Sequence, residues 1–139
     1  MILNHLVGGL MNKIFIALVL AVVMSGNAYA QQEDWRFFNT TVEGDINYYF
    51  EANTLRVKDA QVFIWVLNDL VNNKSSMKSL NQIDCINYRM LPLQTIVYDD
   101  NMGKGNATDV TEDNEKFQYG VPGSPLQVLI QAVCGKYSN

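Results

Sequence analysis

The sequence predicts an α+β domain: a single antiparallel β-sheet with a C-terminal α-helix held to one face by a disulfide. Three observations predict it. Short aromatic and β-branched segments follow one another with no helical pattern between them, and one amphipathic helix closes the chain. Two cysteines, Cys85 at the end of a strand and Cys134 at the end of that helix, stand behind an N-terminal export signal. In an oxidising compartment such a pair reads as a staple.

The export signal sets the chemistry of all that follows. Met11-Asn12-Lys13 gives a positive start, Ile14 to Met24 is an unbroken apolar run, and Ala28-Tyr29-Ala30 supplies the small residues a signal peptidase reads. Cleavage is expected between Ala30 and Gln31. The apolar run is well short of the roughly 20 residues that span a bilayer. Since the signal already begins well at Met11, Met1 to Leu10 reads as an extension ahead of the natural start. No cysteine lies near the cleavage point to carry a lipid, so a soluble product without a stable membrane anchor is expected.

The expected mature chain, residues 31–139, is the length of one small domain. Lys13 is the one basic residue of the leader, which leaves nine basic residues against fourteen acidic ones, a net charge of −5. Nucleic acid and anionic membrane both require a basic face, so neither is an expected partner. The chain's single histidine, His5, lies in the leader. Without histidine, the Ser-His-Asp and Cys-His nucleophile systems and the usual zinc and copper ligand sets drop out. With both thiols oxidised, carboxylates are the remaining groups for catalysis, and no cofactor motif is present.

Asp34 to Thr40 and Ile46 to Phe50 read as strands joined across Glu43-Gly44-Asp45. Gln61 to Leu70 contains Val62-Phe63-Ile64-Trp65-Val66-Leu67, apolar on both alternating faces, as expected of a central strand covered on each side. Asn72-Asn73-Lys74-Ser75 turns the chain into Ser76 to Cys85, where even spacing puts Met77, Ile83 and Cys85 on one face. Tyr88 to Tyr98 is a further strand, with Pro92 marking an edge or a bulge because proline cannot donate to the ladder. The polar stretch Asp99 to Glu115 reads as a surface loop.

The helix is the most fully specified element. Ser124 caps it, Pro125 suits its first turn, and Gln127 completes a capping box. Leu126, Leu129, Ile130, Val133 and Cys134 form the buried stripe, and Gly135 is the expected stop.

With these elements in place, the chain resembles the bacterial surface-adhesin protein E family from about Asp34 to Gly135. The likeness is carried by Trp35, Tyr48-Tyr49-Phe50, Trp65-Val66, Ile83-Asp84-Cys85 with Tyr88-Arg89, and Tyr98 before Gly103. Pro122-Gly123-Ser124 opening the helix and Val133-Cys134 ending it complete the pattern. Where members often have a tryptophan before Pro-Gly-Ser, this chain has Phe117-Gln118-Tyr119-Gly120-Val121. The resemblance implies the stapled antiparallel sheet, an envelope or surface location, and binding of host extracellular-matrix or plasma proteins.

Several local patterns invite a site. Asp99-Asp100-Asn101 with Gly103, Asn106 and Asp109 hints at calcium but misses the EF-hand spacing, and Gly103-Lys104-Gly105 lacks the Ser or Thr of a phosphate loop. No metal site is expected. Glu43, Asp45, Glu51, Asp84 and Asp99 are the carboxylates from which a glycosidase pair would be drawn. Asn39, Asn73 and Asn106 head glycosylation sequons, relevant in a eukaryotic secretory pathway. The aromatics carry the favoured expectation. Trp35, Phe37, Phe38, Tyr48, Tyr49 and Phe50 cannot share one face of short strands, so some face outward or into a partner unless they fill a small core, with Trp35, Tyr48 and Phe50 as candidates. The sequence is therefore read as an exported, non-enzymatic binding module with a protein partner or a second copy of itself. A periplasmic accessory and a carboxylate-based glycan hydrolase are the alternatives.

Overall fold

The computed structural model describes residues 32–113 and 115–137. The expected leader, with its cleavage point at Ala30 and Gln31, lies outside them. Eight strands form one antiparallel sheet: β1 (Trp35–Thr40), β2 (Ile46–Glu51), β3 (Arg56–Lys58), β4 (Gln61–Leu70), β5 (Ser75–Asp84), β6 (Arg89–Tyr98), β7 (Ala107–Asp109) and β8 (Gln118–Tyr119). The main order is β1-β2-β4-β5-β6-β7, with β3 also on β4 and β8 also on β6. One helix, α1 (Pro125–Tyr137), follows. Among the described residues, no helix is long and apolar enough to cross a membrane.

The core lies between α1 and one face of the sheet. Val62, Ile64 and Val66 of β4, Ile83 of β5 and Phe50 of β2 pack against Leu129, Ile130 and Val133 of α1. Each such side chain contributes about 1.5–3 kcal/mol by leaving water. The stripe expected from helical spacing is the stripe that is buried. Cys85 and Cys134 close the contact as a disulfide with Cα atoms 5.5 Å apart, and Cys85 packs on the same core as Ile83.

At the start of α1 the Ser124 hydroxyl accepts from Gln127 N, while Gln127 Oε1 accepts from Gly123 N rather than from the cap residue itself. The helix runs two residues past the expected stop. Gly135 is absent from the left-handed glycines, so it provides no αL cap there. Gly120 has a different duty. A Cβ at that position would stand 3.1 Å from the Gln127 Cα, so the missing side chain lets the preceding segment lie against the helix.

Of the two expected readings of Pro92 the bulge is the one found, and two other features differ from the sequence expectation. Pro92 sits in an interior strand, but in the stretch of β6 left between β8, which reaches Arg89 and Met90, and β7, which begins at Ile96. The β5–β6 ladder also bulges there, so the missing N–H falls where pairing is already interrupted. The expected loop from Asp99 to Glu115 contains a 3-10 turn, Asn101–Gly103, and β7. Finally, β3 pairs with β4 through a tight turn whose residues, Asp59 and Ala60, both have positive φ without being glycine.

Candidate binding surface

Strand register assigns each side chain to a face. Val62, Ile64, Val66 and Asn68 of β4 stand opposite Ile83, Asn81, Ser79 and Met77 of β5, all toward the helix. The intervening Phe63, Trp65, Leu67 and Asp69 oppose Gln82, Leu80, Lys78 and Ser76 on the face without the helix. The six aromatics of the first hairpin divide equally. Phe38, Tyr48 and Phe50 lie on the helix face, with the Phe38 ring centroid 6.0 Å from Tyr48 and 6.2 Å from Phe50. Trp35, Phe37 and Tyr49 lie on the other, and Phe37 meets Tyr49 edge to face at 5.7 Å. Alternation puts the adjacent Phe37 and Phe38 on opposite faces, and the β1–β2 register slips between Phe37 and Asn39, which makes Phe38 the extra residue of a bulge.

The expectation that β4 is covered on both sides holds for one end of the helix-free face. There Leu67 is fully buried. Lys78 rises beside it, its Nζ 3.0 Å from Glu33 Oε1, 5.0 Å from the Trp35 ring centroid and 5.4 Å from that of Tyr98. Trp35 Nε1 donates to Glu33 Oε2 at 2.8 Å. That indole hydrogen bond holds the Glu33 carboxyl below the usual range against the opposing effect of burial, with the Lys78 ammonium adding to it. The Asn101–Gly103 turn completes the roof. Asp69 Oδ1 accepts from Met102 N at 2.8 Å and from Asn101 Nδ2 at 3.0 Å, while Ser76 Oγ accepts from Gly103 N at 2.8 Å. Gly103 has φ +67°, and a Cβ there would lie 2.0 Å from Lys78 Cε. Only glycine fits both the turn and the lysine stem.

Beyond the roof the face is open. Phe63 and Trp65 of β4, Leu80 of β5 and Leu91 of β6 are half-buried with no second layer over them among the described residues, and at the β1 edge, in the row of Leu67, Phe37 is 57% exposed. This is a semi-apolar sheet surface of the kind that marks interaction sites.

The three aromatic candidates fall in three places. Trp35 is part of the roof over Lys78. Tyr48 lines a cleft on the helix face, and its phenol is pushed up by burial and by the Asp45 charge, so it stays protonated at neutral pH. Phe50 is a core residue, 7% exposed, whose ring packs inside rather than facing a partner.

The carboxylates hold turns. Glu51 accepts from the backbone N–H groups of Asp34, Asn53 and Thr54; burial raises its pKa, but these bonds and Thr54 hold it lower overall. Asp84 accepts from Ile86 N, Asn87 N, Asn87 Nδ2 and Arg89 Nε, and the Asn87 bonds foremost bring it down to about 2. Asp45 accepts from the Thr41 hydroxyl. Asp99 accepts from Asn106 and Asp109 from Thr111 and Gln94, so the loop read for calcium spends these oxygens on its own turns.

Two features escaped the sequence reading. Phe117, in the stretch where a tryptophan was expected, lies under Arg89, with the guanidinium carbon 4.0 Å from the ring centroid. The second is the cleft beside Tyr48, whose walls come from seven separate stretches of chain.

The described residues form a small stapled sheet, filled on one face by its own helix and roofed over part of the other. The profile of the surface-adhesin protein E family matches residues 35–135, and the chain belongs to that family. Its fold is that of Haemophilus influenzae protein E. Crystal form II of that protein aligns with a TM-score of 0.58 at 16% identity, covering 79% of this chain and 97% of the other. The selenomethionine form gives 0.57 at 17% identity, covering 73% and 88%, and protein E from a non-typeable strain gives 0.52 at 18%, covering 77% and 86%. No curated protein sequence matches the chain.

Proposed function

We propose that the chain is exported and acts as a non-enzymatic adhesin of the bacterial envelope or surface, binding a host extracellular-matrix protein through the open half of the helix-free face. The observation that carries this reading is the half-buried Phe63, Trp65, Leu80 and Leu91, with no covering layer among the described residues, on the same face as the exposed Phe37 at the β1 edge. Large aromatic anchors dominate protein interfaces, and Phe37, Phe63 and Trp65 put three of them on this face. The export signal in the sequence and the family's surface character support the location. The acidic net charge supports a protein partner over an anionic one.

The experiment has two stages. Protease is first applied to intact cells and to cells with an opened envelope, with antibody detection of the protein. Digestion on intact cells is expected; protection until opening puts the protein in the periplasm and favours an accessory without host ligand. Immobilised matrix proteins are then tested against wild type and Phe37→Ser with Trp65→Ser. A fall of about tenfold or more, with the fold intact by circular dichroism, is expected from losing two aromatic anchors. Unchanged capture removes this face from the reading. If sedimentation shows a dimer that the same substitutions dissociate, the patch is occupied by a second copy instead.

A further inference from the structure

The helix covers only part of its face of the sheet. A cleft of about 490 Å³ remains between the sheet, the first turns of α1 and the segment ahead of β8, within the size range of small-molecule sites. Register sets its floor. Tyr48 of β2 stands opposite Asn68 of β4, and Asn68 opposite Met77 of β5; in the next row Val66 stands opposite Ser79, and Ser79 opposite Thr95 of β6. All six line the cleft. With cross-strand neighbours about 5 Å apart and rows about 7 Å apart, the floor is a grid that mixes neutral polar side chains with apolar ones.

The polar groups of this floor are free and within reach. The Tyr48 hydroxyl, the Asn68 amide and the Thr95 hydroxyl make no hydrogen bond among the described residues, and none of them is sealed from the cleft. The buried side-chain atoms without a partner are Thr54 Oγ1 and Asn81 Oδ1. Around the floor stand walls of two kinds. Leu126 and Leu129 of α1, with Met90 and Pro92, are apolar, and Phe38 closes the end beside Tyr48 with the ring centroids 6.0 Å apart. Glu112, Glu115 and Gln118 line the other side, and no lysine or arginine lines the cleft.

We infer that the cleft binds an uncharged, N-acetylated disaccharide, its hydroxyl and amide groups on Tyr48, Asn68 and Thr95 and its acetamido methyls and C–H faces against the apolar wall. A sugar ring has hydroxyls around its rim and apolar C–H faces, which matches neutral groups that both donate and accept beside a wall that does neither. A wholly apolar ligand would strip water from the three floor groups and leave them unpaired, which is costly. An anion would meet Glu112 and Glu115 with no basic side chain to offset them. Uncharged pairs of N-acetylhexosamines occur in host glycans, whereas in the bacterial wall every second such sugar carries a lactyl carboxylate. The charge of the rim therefore selects the host source. The site lies on the opposite side of the sheet from the proposed adhesive patch, so the two are tested apart.

The probe is N,N′-diacetylchitobiose, titrated into the purified, disulfide-bonded protein and followed by NMR amide shifts. Saturable binding in the millimolar range or tighter is expected, with shifts clustered around Tyr48, Asn68, Thr95 and Leu126. The wall disaccharide of N-acetylglucosamine and N-acetylmuramic acid is expected to bind at least about tenfold more weakly. Glu112→Gln with Glu115→Gln should bring the two sugars to equal affinity. Tyr48→Phe with Thr95→Val removes two hydroxyls with little change of shape and should weaken diacetylchitobiose by about tenfold or more. The comparison of the two sugars on wild-type protein stands even if that variant fails to fold. No binding of diacetylchitobiose at millimolar concentration, shifts that map away from the cleft, equal or tighter binding of the wall disaccharide, or unchanged affinity in the folded hydroxyl-free variant overturns the proposal.

Discussion

Both faces of the sheet receive three aromatic residues from the same β1–β2 hairpin, yet they put them to different ends. On the helix face Phe38 and Phe50 join the core that the chain's own helix completes, with Tyr48 beside Phe38 at the cleft, and the disulfide keeps that helix in place. On the other face Trp35, Phe37 and Tyr49 meet a roof over Lys78 at one end and open space at the other. Similar aromatic content thus produces a core in one case and a surface in the other. What separates them is whether the chain provides a covering layer.

The largest test of this contrast is to remove the clamp. Closing a 49-residue separation by a disulfide stabilises by about 4 kcal/mol in the chain-entropy picture, so Cys85→Ala with Cys134→Ala is expected to lower the free energy of unfolding by that order. Urea unfolding in the presence and absence of reductant measures it. A loss under about 1 kcal/mol would mean that packing alone holds the helix.

Truncations across the two faces come next. Ile130→Ala empties a fully buried site and is expected to cost about 2–5 kcal/mol, whereas Phe37→Ala at the open edge should cost less than about 1 kcal/mol. Equal losses in chemical denaturation would show that the open face is covered in solution. An intermediate effect is expected at the roof. Gly103→Ala forces a side chain into a left-handed turn and against the Lys78 stem, costing about 1–3 kcal/mol. It should also change the environment of Trp35 and thus its fluorescence contribution.

The smallest effect is an acid-dependent one at the hairpin that carries Cys85. Asp84 is held at about 2 in the folded protein, below an unfolded value near about 3.9. Its contribution is therefore present above the unfolded value and is lost as pH falls through the folded one. The stability difference between wild type and Asp84→Asn should be constant from neutral pH to about 5 and close toward about pH 2. A gap that persists at pH 2 would assign the effect of Asp84 to shape rather than to charge.

Much of the helix face was legible in the sequence because its signals are local and periodic. The stripe from Leu126 to Cys134 follows helical spacing, the alternation of β4 is explicit, and the parity of Ile83 and Cys85 put the thiol on the correct side. The helix-free face was harder to read. Its cover comes from the distant Glu33 and the Asn101–Gly103 turn, and nothing near Leu67 announces that Asp69 and Ser76 will receive their backbone N–H groups. The β3–β4 turn was missed because Lys58-Asp59-Ala60-Gln61 lacks the glycine that usually marks positive φ. Phe50 was misplaced as a binding candidate because alternation separates neighbours without saying which face is filled. The cleft was invisible for a similar reason, since its seven lining stretches meet only in the assembled fold.

The roofed lysine gives the helix-free face a built-in reporter. Lys58, Lys74, Lys104 and Lys116 stand in solvent, while the Lys78 side chain is 12% exposed between two rings and a carboxylate. Amine-acylating reagents should modify those four and spare Lys78. Its rate of acylation, read by mass spectrometry against the others as internal standards, then records how often the roof lifts. A partner seated over the roof should slow that rate, and one that pries Trp35 away should raise it.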